Sequence, residues 1–455
     1  MNMNNLRSLT ALDGRYQKSI EVLQDIFSEY SLMKSRVFVE IQWLKFLAFE
    51  LELFNISKEH LEQIESIGEN FNMEHAQAIK VIEKTTNHDV KAVEYFLKKQ
   101  FVSLGREELQ EWIHFSCTSA DINNTSYALM LKEGQKCLFG YFKSLLKKLE
   151  DLAKAYKTVP MMSRTHGQPA TPTTVGKEYI NFAWRMKREI QIFSNIQIEA
   201  KMNGATGNFN AHHFAFPDID WIAASEKFLT DYLGVVPLLY TVQTNPNNYI
   251  SELLHSLIRL SSILIDLDRD MWGYISLGYF KQKLKKGEVG SSTMPHKVNP
   301  IDFENSEGNL GMAIALMQHL STKLLNTRFQ RDLTDSTVMR NLGTVFGYTL
   351  LGIKSSQKGL EKIDMNEKIL ADDLNNHWEL LAEPIQTVMR VYGEENPYEK
   401  LKELTRGVKI SQDELAIFID RLSKVPDDVK KRMKKLTPES YIGVAIRLVD
   451  QYFRT

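Results

Sequence analysis

The sequence predicts an almost all-α protein built on several long helices. Three observations carry this. Apolar residues step by three and four along extended stretches, the period of a buried helix face. The apolar–polar alternation that strands require is short and rare. And no proline lies between Pro246 and Pro295, leaving room for one very long helix.

Taken in order, residues 1–108 read as a small helical domain that ends near Gly105. TTNHDVKAVEYF (85–96) predicts a helix from about Val90, with Asn87 or Asp89 as its cap. HFSCTSADINN (114–124) predicts a helix start at Thr118, Ser119 and Asp121. A central domain, 109–362, carries four apolar seams. These are Phe142, Leu145, Leu149, Leu152 and Tyr156; Tyr179, Phe182, Met186, Ile190 and Phe193; Leu253, Leu257, Leu260, Leu264, Leu267 and Met271; and Leu310, Ile314, Met317, Leu320 and Leu324. Four such helices predict a bundle. The strict 3.5 period also suggests seams shared between chains. Residues 363–455 read as a C-terminal domain of shorter helices, broken at Pro384, Pro397, Pro426 and Pro438.

A net charge of −1 supplies no general field for nucleic acid or an anionic membrane, so neither is an expected partner. An anionic ligand must be held by a local cluster of cations. Two cysteines make neither a disulfide framework nor a zinc site, and they point to a reducing compartment. The first residues lack the apolar core of a signal peptide, and no run of about 18 apolar residues predicts a membrane span. A cytoplasmic protein is expected. His212 and His213 are adjacent, but no cysteine or carboxylate is spaced to complete a metal site with them.

Five irregular stretches carry more chemistry than a connection needs. Around His88 the residues serve either as a plain cap or as donors to an anion. Thr118, Ser119 and Asp121 are either a plain N-cap or hydroxyls and backbone N–H groups for a carboxylate or phosphate. In SRTHGQPATPTT (163–174), His166 sits in a loop stiffened by Pro169 and Pro172. It is either a solvated ring or a proton donor to a leaving nitrogen. In the connection Lys281–Pro300, Gly287 and Gly290 act as pivots, and Lys297 and Asn299 bring a cation and an amide beside Ser291 and Ser292. Such a connection reads as a lid or binding loop. In RFQRDLTDSTVMRN (328–341), Ser336 and Arg340 share a helix face one turn after Arg331. The arginines either grip an oxyanion or pair with Asp332 and Asp335.

GSSTMPHKVNP (290–300) resembles the signature loop GSSxMPxKxNP of the fumarase/aspartase superfamily. His296, DGRY (13–16), TTNHDVKAVEYF, CTSADINN, SRTHGQPATP and QRDLTDSTVMRN resemble the bacterial type of the adenylosuccinate lyase family within it. The resemblance implies cleavage of fumarate from adenylosuccinate, giving AMP, and from the related succinyl-aminoimidazole-carboxamide ribotide. It implies Ser291 as general base and His166 as general acid. It implies that Arg15 and Tyr16 bind the nucleotide with Asn87, His88 and Asp89, and that Thr118 and Ser119 hold a carboxylate. Lys297 and Asn299 would stabilise the charge that develops, and Gln243, Ser292, Arg331, Ser336 and Arg340 would complete the site. No metal and no cofactor is implied. A homotetramer with sites shared between subunits is. After Gln243 the chain departs from the pattern, reading Thr244-Asn245 where an apolar and then an acidic residue is expected. Two other readings stay open: another lyase or cycloisomerase of the superfamily, and a catalytically silent helical oligomer.

Overall fold

In the computed structural model, residues 6–283, 294, 296–405 and 410–454 are described. Ser291, Ser292, Gly287 and Gly290, and with them the proposed base and the pivots of its loop, lie outside the described residues.

The chain is 67% helical with a few short strands. It divides into two compact units, and five long helices contribute residues to both. The first unit comprises residues 1–142, 189–262 and 308–354. It begins with α1 (Glu29–Phe49), α2 (Lys58–Glu69), α3 (Met73–Thr86) and α4 (Asp89–Ser103). These pack Val37, Ile41, Leu44, Ile64, Val93, Phe96 and Phe101 into one core. The unit then takes the start of α5 (Ser119–Ala155), the end of α6 (Val175–Asn195), short helices α7 (Asn210–Ala215) and α8 (Trp221–Lys227), and the start of α9 (Asn248–Ser276). The end of α10 (Ile301–Lys323), α11 (Thr334–Met339) and most of α12 (Leu342–Lys362) complete it.

The second unit comprises residues 143–188, 263–307 and 355–455. It holds the remaining parts of the long helices, a hairpin of β1 (Pro160–Thr165) and β2 (Gln168–Thr174), and the C-terminal helices α13 (Glu367–Asn375) and α14 (Ala382–Val391). Four shorter helices follow, and their core gathers Leu381, Ile385, Met389, Leu415, Ile419 and Val429.

The predicted seams are buried except at Tyr156 and Ile314, which are half-buried. Leu253, Leu257, Leu260, Leu264, Leu267 and Met271 are each at most 1% exposed in the single chain. The 3.5 period is thus filled by the chain's own helices, and it does not mark a seam left open for another chain. A fifth long helix, α12, joins the four expected; its buried Leu342, Phe346, Leu350 and Ile353 step by four, four and three. The proline-free stretch after Pro246 does not form one helix to Pro295. It stops at Ser276, where Gly278 takes φ 75°. The N–H groups of Gly278 and Tyr279 turn back to the carbonyls of Ile275 and Tyr274, which closes the last turn in a Schellman motif.

Candidate active site

In the first unit, a cavity of about 470 Å³ opens where three helix termini meet. Asn87 has left-handed φ 49° and terminates α3. His88, and not Asn87 or Asp89, caps α4: its Nδ1 accepts the Lys91 N–H at 3.2 Å. In the neutral ring that bond places the proton on Nε2, which faces Ser119 Oγ at 3.5 Å. His88 is thus oriented as a donor by its own cap.

Ser119 opens α5. Asn123 and Tyr127 follow one and two turns later on the same face and also line the cavity. Asp121 points the other way. It is fully buried, accepts the Thr118 N–H at 2.8 Å and pairs with fully buried Lys201 at 2.9 Å. It also accepts the backbone N–H groups of Asn203 and Gly204. Of the predicted cluster, then, Asp121 ties the start of α5 into the core, while Thr118 and Ser119 line the cavity.

Arg331, Ser336 and Arg340 come from α11 and the residues flanking it. Arg331 does not pair with an aspartate: it donates to Gln243 Oε1 at 3.0 Å and to Ser336 Oγ at 3.4 Å. Gln243 in turn donates to the Ala205 carbonyl, so the amide is held at both ends. Its neighbours Thr244 and Asn245 are buried; Asn245 accepts the Asn247 N–H at 2.8 Å and fixes the loop. Arg340 pairs with Asp89 at 3.2 Å, while Asp332 caps the turn at Thr334 and pairs with Arg328.

Sequence reasoning missed Arg36. It comes from α1, is 4% exposed, and donates to Asp89 Oδ2 at 2.6 Å and Asn123 Oδ1 at 2.9 Å. Burial pushes the Asp89 carboxyl up, but the Arg36 charge and hydrogen bond, the Val90 N–H and Arg340 outweigh it and hold it below the usual carboxylate range. Glu83, the other acid in the wall, pairs with Lys80. Three guanidinium groups therefore face two acids, of which Asp89 is already shared by Arg36 and Arg340 and Glu83 is paired with Lys80, and the positive charge left over suits anionic oxygen.

Arg15 and Tyr16 belong to the same unit but do not line this cavity; the Arg15 guanidinium lies 5.9 Å from the Tyr16 ring centre. His166, Lys297 and Asn299 belong to the second unit. The loop expected around His166 is a β-hairpin. Thr165 and Gln168 close it, so His166 and Gly167 form a two-residue turn with φ 53° and 74°. Arg164 anchors β1 to Asp373 of α13 at 2.7 Å, and Thr171 of β2 bonds Glu383 of α14. His166 is exposed at the tip. His212 is a core ring: it lies among Trp43, Phe209 and Trp221, and burial pulls its pKa down to about 4.

A family model described as lyase matches residues 14–315, and one described as adenylosuccinate lyase C-terminal matches residues 327–442. The chain is 50% identical to adenylosuccinate lyase of Escherichia coli strain K12 over 456 aligned positions, covering 99% of this chain and 100% of the relative. It belongs to the adenylosuccinate lyase family. Adenylosuccinate lyase of Haemophilus influenzae is similar at 51% over the same coverage. Two crystal structures share the fold at low identity. They are 3-carboxy-cis,cis-muconate lactonizing enzyme from Pseudomonas putida, with TM-score 0.77, 18% identity and 95% and 96% of the chains covered, and fumarate lyase from Mesorhizobium sp. BNC1, with 0.78, 16%, 95% and 97%. The family is one of lyases, which agrees with the resemblance carried by the sequence motifs.

Proposed function

We propose that this chain eliminates fumarate from adenylosuccinate, giving AMP, and from succinyl-aminoimidazole-carboxamide ribotide by the same cleavage of a C–N bond. One observation carries the reading. Nine residues singled out from sequence, Asn87, His88, Asp89, Thr118, Ser119, Gln243, Arg331, Ser336 and Arg340, line one cavity in which guanidinium groups outnumber carboxylates. Both substrates carry two carboxylates and a phosphate, and need such a surface.

In this reading Ser291 takes a proton from the succinyl carbon beside one carboxylate. The charge spreads into that carboxylate, where Lys297 and Asn299 stabilise it. The C–N bond breaks, and His166 protonates the departing nitrogen. Arg15 and Tyr16 hold the nucleotide part, and Ser292 completes the contacts. No metal or cofactor takes part. The chain works as a cytoplasmic homotetramer with sites shared between subunits. Trp184 on α6, Trp272 on α9 and Ile301 and Met312 on α10 are about half exposed and offer apolar surface to other copies.

Absorbance at the fumarate band, with purified protein and adenylosuccinate, should show stoichiometric fumarate and AMP. No fumarate from either succinyl nucleotide would rule the reading out. Arg15→Ala should raise KM for both substrates with less effect on kcat, because both present the same phosphate. A change for one substrate alone would show that Arg15 reads the base.

A further inference from the structure

Asp89 Oδ2 is shared by two arginines of unlike standing. Arg36 reaches it at 2.6 Å with a side chain 5% exposed, and Arg340 at 3.2 Å with a side chain 50% exposed. Asp89 Oδ1 takes the Val90 N–H at 2.9 Å. Arg36 is further fixed through Nε by Asn123 on α5. A buried guanidinium stripped of its carboxylate is costly, whereas an exposed pair at longer distance contributes little and exchanges readily with solvent or ligand.

We propose that Arg36 is a positioning residue of the anion site: by keeping Asp89 as its own partner, it leaves Arg340 free to leave Asp89 for an anionic group of the ligand. Asp89 then acts as a placeholder for Arg340 in the empty cavity. Without Arg36, the whole charge of Asp89 falls on Arg340, and the ligand must compete for it. The proposal rests on the anion-binding reading of the cavity given above.

The test is a double-mutant cycle of Arg36→Gln and Asp89→Asn, read by KM and kcat for adenylosuccinate and by calorimetric Kd for AMP. Arg36→Gln alone should weaken AMP binding and raise KM roughly tenfold with kcat nearly kept, and the same change added to Asp89→Asn should do so less than about twofold, since the competing carboxylate is gone. Equal effects of Arg36→Gln in both backgrounds would show that Arg36 only supports the fold, and would overturn the proposal. Arg36→Lys, which keeps the buried charge but not both bonds, should give an intermediate KM with the same dependence on Asp89; it serves if Arg36→Gln does not fold. Lack of turnover in the unaltered enzyme would remove the proposed reaction but leave the AMP cycle to decide this point. Lack of AMP binding in all forms would overturn both.

Discussion

His166 holds a conformation that few non-glycine residues adopt: φ 53°, at the first position of a two-residue turn. Asparagine tolerates that region well and cannot act as an acid. His166→Asn should therefore leave the hairpin and thermal stability intact while turnover falls by about 10²–10⁴. Turnover near that of the unaltered enzyme would remove His166 from the chemistry. A second residue-scale effect concerns His114, which pairs with buried Glu40 through Nδ1 at 2.6 Å and anchors the segment leading to Thr118. Burial pulls its pKa down, but the Glu40 charge and hydrogen bond prevail and hold it above 6.5. A ring whose folded value exceeds its unfolded one, about 6.5, stabilises the fold fully below that pH and loses this contribution as pH rises through the folded value. The difference in Tm between the unaltered protein and Glu40→Gln should shrink from pH 6 to pH 9; a constant or growing difference would contradict the pairing. Cap chemistry and loop hydroxyls made Asn87 to Asp89 and Thr118 to Ser119 legible in the sequence. Arg36 was not, because it lies on a helix face whose neighbours Met33, Val37 and Leu44 read as core. Its clue was Glu40, four residues on: two charges on one otherwise apolar face must find partners. Asn123 and Tyr127 could have been reached by extending the Ser119 face by two turns.

At the scale of elements, spacing told where helices run but not what ends them. The seams on α5, α6, α9 and α10 were readable because each repeats over several turns. The stop of α9 at Gly278 was not, because the eye follows prolines and this helix ends by a glycine cap. The hairpin at His166 reads as a loop in the sequence because two prolines and several threonines hide its pairing; Met161 to Ser163 shift register, which breaks the simple alternation. Its base depends on close packing. A Cβ at Gly176, in the first turn of α6, would meet the Lys157 Cα at 2.4 Å and the Ala153 carbonyl oxygen at 2.5 Å, both backbone and unable to yield alone. Gly176→Ala should cost roughly 1–3 kcal/mol and lower Tm, since α6 must shift from the end of α5. Urea unfolding is the measurement, and an unchanged midpoint would show that the approach is looser than described.

At the scale of the whole molecule, the surface left exposed bears on assembly more than the buried seams do. The 3.5-period leucines are consumed inside the chain, so they no longer speak for a shared seam. Two other features do. Apolar side chains on α6, α9 and α10, Trp184 and Trp272 among them, remain exposed in the single chain. And His166, the proposed acid, is not among the described residues that line the cavity in the first unit. Helices of about 30 residues are roughly 45 Å long, so connections at their two ends do not share a pocket within one chain. Side-by-side copies remove that constraint by presenting different ends to one another. The prediction is that His166 and Ser291 of one site come from different subunits. His166→Ala and Ser291→Ala should each be inactive alone. Mixed in equal amounts, dissociated and reassembled, they should recover about a quarter of the activity, because each shared site draws its two residues independently and a quarter of the draws are intact in both. Native mass measurement must show mixed assemblies. If mixed assemblies form and remain as inactive as their parents, both residues act from one chain, and the exposed tryptophans serve an interface with no part in catalysis.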